Sequence, residues 1–135
     1  MTIFGDGTQT RAFTHIDDVA PHIANCVQIK KAKNELFNIG ADKPYSVLTL
    51  AKVIAKKMNV SPDIVFLPPR LEVVHAFSDH SKVQRIFNIS PKVSLEDGIE
   101  RMASWAKKMG PMKPTKFKNI EVSKNMPPSW LKLTK

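Results

Sequence analysis

The sequence has 135 residues, enough for one domain with a hydrophobic core and too few for two ordinary domains. Its hydrophobic content of 42% is that of a globular protein, and no apolar run reaches the ~18 residues of a spanning helix. The net charge of +9 is compatible with nucleic acid, with an anionic small substrate, or with solubility alone.

The single cysteine and the N-terminus indicate the compartment. Cys26 has no partner for an internal disulfide, and it follows Ile23 by three residues on the apolar side of a predicted helix. This position favours a reduced, buried thiol over a nucleophile. The N-terminus lacks the basic flank and apolar core of a secretory signal. We therefore expect a cytoplasmic protein that has no membrane partner.

The first elements are a strand end, a turn and a helix. Residues 2–4 predict the strand end, and two glycines hinge a loop over residues 5–15. An acidic pair, Asp17 and Asp18, suits the N-terminus of a helix that is predicted to run to about Ile29.

The middle of the chain alternates short strands with a well-marked helix. Leu36–Ile39 is a candidate for a buried strand. Ser46 can cap a helix whose apolar residues recur at helical spacing as far as Met58, and Asn59 can end that helix. A second strand is predicted over Ile64–Leu67.

Two further helices complete the predicted domain. A short helix is expected over residues 80–87, and Ser94–Asp97 has the form of a capping box before a longer one. Gly110 and Pro111 together stop that longer helix. The pattern predicts an α/β domain over residues 1–110, with its strands in more than one small sheet.

Residues 111–135 form a basic, proline-containing tail that holds six lysines and one acidic residue. Apolar side chains could anchor it as an extended strap over a partner surface: Phe117, Ile120, Val122, Met126 and Trp130. Nucleic acid ranks last among the expected partners, because the tail has no aromatic and basic module of a known recognition type.

Signatures of catalysis are missing from the sequence. It has no glycine-rich nucleotide loop, no metal-ligand spacing among its four histidines, and no lysine four residues after Tyr45. Arg11 and Arg70 lie beside strand ends, where each is either a bidentate ligand for phosphate or an ordinary surface arginine. Three other aromatic side chains are expected in the core: Phe13, Phe77 and Trp105.

Short motifs occur in a fixed order along the whole chain. They are Ile3–Gly7 with Gln9, Arg11, His15 and Asp18, then Phe37–Gly40, Ser46–Val47, Pro69–Val73, Ser78–Lys82, Ser94–Ile99 and the tail segment 119–130. The series resembles the extended short-chain dehydrogenase/reductase (SDR) family, the NAD-dependent nucleotide-sugar epimerases and dehydratases. Within that family it is most similar to the UDP-glucose 4-epimerases.

The resemblance implies an α/β fold that corresponds to the C-terminal, substrate-binding part of a Rossmann-type enzyme, without most of the dinucleotide-binding domain. In the family, the glycine-rich NAD loop, the catalytic Ser/Thr and the Tyr-x-x-x-Lys pair all precede the point where this sequence begins. We therefore expect no catalytic and no cofactor-binding residue here, and no NAD binding by this chain alone. The family reaction is a transient oxidation of the sugar by NAD, so the cofactor supplies that chemistry.

The resemblance also assigns substrate-binding roles. The backbone near Thr2 and Phe4 would meet the nucleotide base, Arg11 and Arg70 would hold the diphosphate, and Glu72 would lie near the ribose. The expected ligand is a nucleotide-diphosphate sugar, with a UDP-sugar as the first choice.

Three hypotheses for function follow, in order of preference. The chain is the substrate-binding portion of a nucleotide-sugar epimerase that acts with a Rossmann partner; or it is a stand-alone, non-catalytic nucleotide-sugar-binding module; or it binds nucleic acid through its basic tail. We expect the apolar stripe of the second predicted helix, the one that Ser46 caps, and the opening strand to pack on a sheet that this sequence does not contain. We therefore expect an exposed apolar face that associates with a Rossmann half or with a second copy.

Overall fold

A computed structural model describes residues 1–113, so nearly all of the predicted strap lies outside the described residues. In chain order the elements are β1 (Thr2–Phe4), β2 (Thr10–Arg11), α1 (Ala20–Asn25), β3 (Tyr45–Ser46), α2 (Val47–Met58), β4 (Val65–Leu67), β5 (His75–Ala76), α3 (Ser81–Phe87) and α4 (Leu95–Met109). Short 3₁₀ turns flank α1 at Ile16–Asp18, Cys26–Gln28 and Lys30–Ala32. The mixture of strands and helices is the predicted α/β class.

The strands form two small sheets, as the sequence predicted. β1 and β4 pair in parallel, with Ile3 opposite Phe66. In the second sheet β2 lies in the middle, antiparallel to β3 and parallel to β5. Arg11 therefore stands opposite both Tyr45 and Ala76, which links the start of the chain to the segment after β4.

The predicted caps set the ends of the two longest helices. The hydroxyl of Ser46 accepts the N–H of Thr49 at 3.0 Å, and Ser94 accepts the N–H of Asp97 at 3.1 Å. These bonds satisfy donors that the first turn of a helix leaves free. Asn59 ends α2 in the left-handed conformation, with φ of 59°. No helix within residues 1–113 combines the length and the apolar character needed to cross a membrane.

The core lies mainly between α2 and α4, and β1 adds the buried Ile3. Small side chains allow the helices to approach closely, and the buried apolar residues are Ile3, Ala51, Ala55, Val83, Leu95 and Ala103. The one buried polar side chain in the described part is that of His80, whose Nδ1 lies 2.7 Å from Oδ1 of Asp42. Because a carboxylate partners the ring, this histidine has a structural role that links the start of α3 to the loop before β3.

The predicted helix from Asp17 to about Ile29 is confirmed only in its centre, the six-residue α1, because 3₁₀ turns replace both of its ends. Asp18 does not cap that helix. Its carboxylate accepts the N–H groups of Lys92 and Val93, at 3.1 and 3.0 Å. Asp18 therefore ties the turn before α1 to the segment before α4. Cys26 lies in the turn after α1 and is only partly buried, so the expectation of a buried thiol is also wrong.

The predicted strand over Leu36–Ile39 is absent from the structure. Phe37 packs edge-on against Phe87, with 5.1 Å between ring centroids, and Leu36 remains 77% exposed. A strand needs a neighbour to accept its backbone hydrogen bonds, and no strand of the described residues pairs with this segment.

Two of the aromatic side chains expected in the core are exposed instead. Phe77 is 67% exposed and Trp105 is 58% exposed, whereas Phe13 is partly buried. Large apolar side chains also reach solvent in the segment around α1, among them Ile23 and Val27. The described residues thus expose apolar surface, as the sequence predicted.

Candidate functional site

A cleft of about 740 Å³ opens where the parallel strands β1 and β4 end. Three of the predicted site residues line it, namely Phe4, Arg70 and Glu72, together with Asp6 and Val74. Parallel strands bring their carboxyl ends to the same edge of a sheet, and that edge is a common ligand position in α/β proteins. Phe4 closes β1 there, while the loop that follows β4 supplies Arg70 and Glu72.

The turn after β1 forms one wall of the cleft. The carboxylate of Asp6 accepts the hydroxyl and the N–H of Thr8, at 2.7 and 2.9 Å. These two hydrogen bonds lower the pKa of Asp6 below its ordinary value, and the bond from the Thr8 hydroxyl has the larger effect. Gln9 donates to the carbonyl of Phe4 at 2.9 Å, so the turn folds back onto the strand. The wall is therefore fixed by side chains of the turn itself.

The backbone of β1 has one paired and one outer edge. The N–H of Gly5 binds the carbonyl of Leu67 and the carbonyl of Met1 accepts the N–H of Val65, each at 2.9 Å. In a parallel pair alternate residues bind the same neighbour, so the backbone groups of Thr2 and Phe4 face the other edge. The side chain of Gln9 already donates a hydrogen bond to the Phe4 carbonyl. Thr2 is exposed and lies outside the cleft lining.

Arg70 brings a positive charge into the cleft. Its guanidinium carbon lies 3.3 Å from the centroid of the Phe4 ring, an arrangement that stabilises a cation on an aromatic face. Two prolines at positions 68 and 69 stiffen the approach from β4. The side chain is exposed, and so it is open to a ligand. A planar guanidinium on an aromatic surface suits a phosphate oxygen better than a compact ammonium would.

Arg11 lies at the edge of the cleft rather than in its lining. Its Nη1 donates to the carbonyls of Thr10 and Val74, at 2.7 and 3.1 Å. Its Nη2 is 3.7 Å from a carboxylate oxygen of Glu72, and both side chains are partly exposed. The structure therefore brings Arg70 and Glu72 together in the cleft, with Arg11 bound to the back of the same loop.

The sequence assigned no binding role to three residues that shape the cleft: Asp6, Gln9 and Val74. Asp-Gly-Thr is a turn signal that was available in the sequence. The contacts of Gln9 with Phe4 and of Val74 with Arg11 depend on how the chain folds back, so no local pattern could identify them.

Within residues 1–113 the turn that carries two glycines opens a strand and not a helix. A pyrophosphate is typically bound by a glycine-rich turn that opens a helix. Here the turn over residues 5–7 leads into β2, and Gly7 packs against α2, because a Cβ at Gly7 would lie 3.0 Å from Cβ of Leu48. Among residues 1–113 no group of three or more metal-ligating side chains comes together.

Comparisons with known proteins identify the class. No family model matches the sequence. It is 32% identical over 109 residues to a UDP-glucuronate 4-epimerase of Thermodesulfobacterium geofontis, a match that covers 79% of this chain and 33% of that relative.

Solved structures give the same result. A UDP-glucuronic acid 4-epimerase from Bacillus cereus, in complex with UDP-glucuronic acid and NAD, matches with a TM-score of 0.73 and 36% identity. That match covers 81% of this chain and 35% of the other. The UDP-glucose 4-epimerase of Thermotoga maritima with UDP-glucose matches with a TM-score of 0.72 and 33% identity, over 80% and 35% of the two chains.

The chain is therefore homologous to part of the nucleotide-sugar epimerases and dehydratases of the extended SDR family, which confirms the resemblance drawn from its sequence. It spans about a third of the length of the relatives that it matches. Its fold matches part of these Rossmann-type proteins, which confirms the predicted fold class.

Proposed function

We propose that this chain binds the nucleotide-diphosphate part of a nucleotide sugar, with a UDP-sugar as the preferred ligand, in the cleft at the ends of β1 and β4. The observation that carries the proposal is Arg70, an exposed guanidinium held 3.3 Å from the Phe4 ring centroid in the lining of this open cleft. The relatives named above act on UDP-sugars, and two of their structures hold one.

Each proposed contact has a chemical reason. Arg70 holds the diphosphate by charge-assisted hydrogen bonds, and Arg11 adds a second cation from the edge of the cleft. Glu72 accepts from a ribose hydroxyl, which requires its weak pairing with Arg11 to loosen. The outer backbone edge of β1 near Thr2 and Phe4 meets the base. Binding energy obtained on the nucleotide is remote from the sugar and can orient it for reaction.

In this proposal the chain supplies substrate binding for an epimerase or dehydratase, and a Rossmann half supplies NAD and the catalytic residues. The exposed apolar side chains around α1 give such a half, or a second copy of the chain, a surface to cover. We place the protein in the cytoplasm. The alternative is a stand-alone, non-catalytic nucleotide-sugar-binding module, since the cleft is formed entirely by this chain.

Titration calorimetry with UDP and UDP-glucose tests the binding proposal. We expect Arg70→Ala to weaken UDP affinity about 10-fold or more, because a hydrogen bond to a charged group contributes about 1.5–3 kcal/mol. Arg85→Ala is the matched control, because Arg85 lies in the last turn of α3 and outside the cleft lining. Equal affinities in wild type and Arg70→Ala would overturn the proposed site.

A second experiment separates the two functions. The full chain is mixed with a polypeptide that carries the NAD-binding half of an extended SDR, and interconversion of UDP-glucose and UDP-galactose is followed. Activity only in the mixture supports the epimerase portion, whereas UDP-sugar binding without activity supports the stand-alone module. Binding to single-stranded DNA that weakens steeply with salt, in place of UDP binding, would favour the nucleic-acid alternative.

A further inference from the structure

An apolar stripe runs along the C-terminal half of α4. Met102, Trp105 and Met109 follow one another at three- and four-residue spacing, which places them on one side of the helix. Each is more than half exposed. A large apolar stripe left in water is unfavourable by roughly 25 cal/mol per Å², so it calls for a covering segment.

The other side of α4 is already occupied. Glu100 accepts a hydrogen bond from Lys57 of α2 at 2.6 Å, and Lys107 donates to the Lys57 carbonyl at 3.2 Å. The buried Ala103 belongs to the same packed side. Helix α2 thus covers a different part of the α4 surface from the stripe, and the stripe is available to another segment.

We propose that the chain's own C-terminal segment, residues 114–135, covers this stripe. The length is sufficient: α4 has 15 residues and is about 22 Å long, a distance that about seven extended residues can span. The segment is 22 residues long and begins only five residues after α4 ends at Met109. Gly110, at φ of 71°, and Pro111 stop the helix beside the stripe, so the chain can reverse its direction there.

The sequence of the segment fits this role. Apolar residues at Ile120, Val122 and Met126 are separated by even intervals, and the intervening odd positions are polar: Asn119, Glu121, Ser123 and Asn125. An extended chain places alternate side chains on one face, so this pattern gives one apolar and one polar face. Because the segment is tethered beside α4, its effective concentration there is of the order of mM, which favours it over a free partner.

A photo-cross-linking experiment on the full chain tests the proposal. Trp105 is replaced by p-benzoylphenylalanine, the protein is irradiated, and tryptic peptides are identified by mass spectrometry. We expect cross-links within one polypeptide to residues 117–130. The same probe at Val27, which is 80% exposed in the segment after α1, is the control and should give no such product. Cross-links found only between two polypeptides would assign the stripe to a second copy and overturn the proposal. The proposal would also be overturned if no cross-link from position 105 reached the tail.

Limited proteolysis gives an independent measurement. The double variant Met102→Gln/Trp105→Gln should increase the rate of trypsin cleavage at the tail lysines about fivefold or more, because the tail loses its covering contacts. Ile23→Gln/Val27→Gln removes equally exposed apolar side chains elsewhere and should leave that rate unchanged. Equal cleavage rates in wild type and the α4 variant would contradict the proposal. None of these results depends on nucleotide binding.

Discussion

Phe4 ends strand β1 and Arg70 lies in the loop after β4, and only 3.3 Å separates the Arg70 guanidinium carbon from the Phe4 ring centroid. The parallel pairing of β1 with β4 sets this contact, because it places Phe4 directly opposite Leu67, three residues before Arg70. A guanidinium that lies on an aromatic ring keeps its in-plane N–H groups available for a ligand. The aromatic ring therefore positions the charge of the proposed phosphate site.

The role of Phe4 in positioning Arg70 can be measured by a double-mutant cycle. Phe4→Leu keeps an apolar side chain and removes the ring, so we expect UDP to bind about 2- to 5-fold more weakly, as for the loss of about 0.5–1 kcal/mol. In an Arg70→Ala background the same substitution should have almost no effect on the UDP dissociation constant. Calorimetry on the four proteins checks this. Additive effects would mean that Phe4 acts independently of Arg70.

Arg11 is expected to stabilise the loop between β4 and β5 as well as to approach the ligand. Arg11→Ala removes two hydrogen bonds to the carbonyls of Thr10 and Val74, and we expect a loss of about 1–2 kcal/mol in the free energy of unfolding. Urea denaturation measures this loss. Amide exchange at Thr10, whose N–H binds the Val74 carbonyl at 2.9 Å, should become faster in the variant.

Glu72→Gln is the control for the Arg11 prediction. The Arg11 and Glu72 side chains are 3.7 Å apart and partly exposed, and such pairs contribute only about 0–1 kcal/mol. We expect the unfolding free energy of Glu72→Gln to lie close to that of wild type. A loss as large as that of Arg11→Ala would show that the ion pair, and not the backbone contacts, holds the loop.

Gly7 fixes the turn after β1 to helix α2. Its φ is 79°, its carbonyl accepts the N–H of Leu48, and an added Cβ would lie 3.0 Å from the Leu48 side chain. Gly7→Ala should therefore lower the free energy of unfolding by about 2–4 kcal/mol, from left-handed strain together with overpacking. Thermal and urea denaturation measure the effect.

Gly110→Ala separates the two causes. Gly110 has a similar φ of 71°, but an added Cβ there meets no atom within 4 Å. With ψ of 179° its backbone lies in a region that is nearly confined to glycine, so we expect a loss of stability that is limited to the conformational cost of about 1–3 kcal/mol. Equal losses in the two variants would mean that contact with Leu48 is unimportant.

The helices that the sequence predicted well are those whose ends are determined locally. For α2 and α4, a serine cap and a helical apolar pattern lie within the segment itself, and the structure shows the expected cap bonds. Strands β2, β3 and β5 have only two residues each, too few for a recognisable alternation. The segment 36–39 had the apolar pattern of a strand, but pairing depends on a neighbour that its own residues cannot supply.

The candidate site also combines residues that sequence motifs identified with contacts that only the fold reveals. Arg70 and Glu72 were assigned because ordered motifs resemble a family, and the structure places both in one cleft with Phe4. Arg11 and Arg70 could not be distinguished by their sequence context, since each lies beside a short predicted strand. Only the fold shows that Nη1 of Arg11 donates hydrogen bonds to two backbone carbonyls, whereas Arg70 lies in the cleft lining.

Acid should weaken the start of α3 through Asp79. Its carboxylate accepts the N–H of Ser81 at 2.8 Å and the Ser81 hydroxyl at 3.0 Å. Both hydrogen bonds lower the pKa of Asp79 below its ordinary value of 3.8, and the bond from the Ser81 N–H has the larger effect. A carboxyl group with a lowered folded-state pKa stabilises the fold above its unfolded-state pKa. That contribution is lost as the pH falls through the folded-state pKa.

Asp79→Asn keeps an acceptor at this position and removes the charge, so it isolates the pH-dependent part. We expect wild type to be the more stable protein at neutral pH, and the two unfolding free energies to converge as the pH falls below the lowered pKa of Asp79. Urea denaturation of both proteins at a series of pH values measures the convergence. A difference that stays constant from neutral to acid pH would show that the ionised carboxylate contributes nothing beyond its hydrogen-bond geometry.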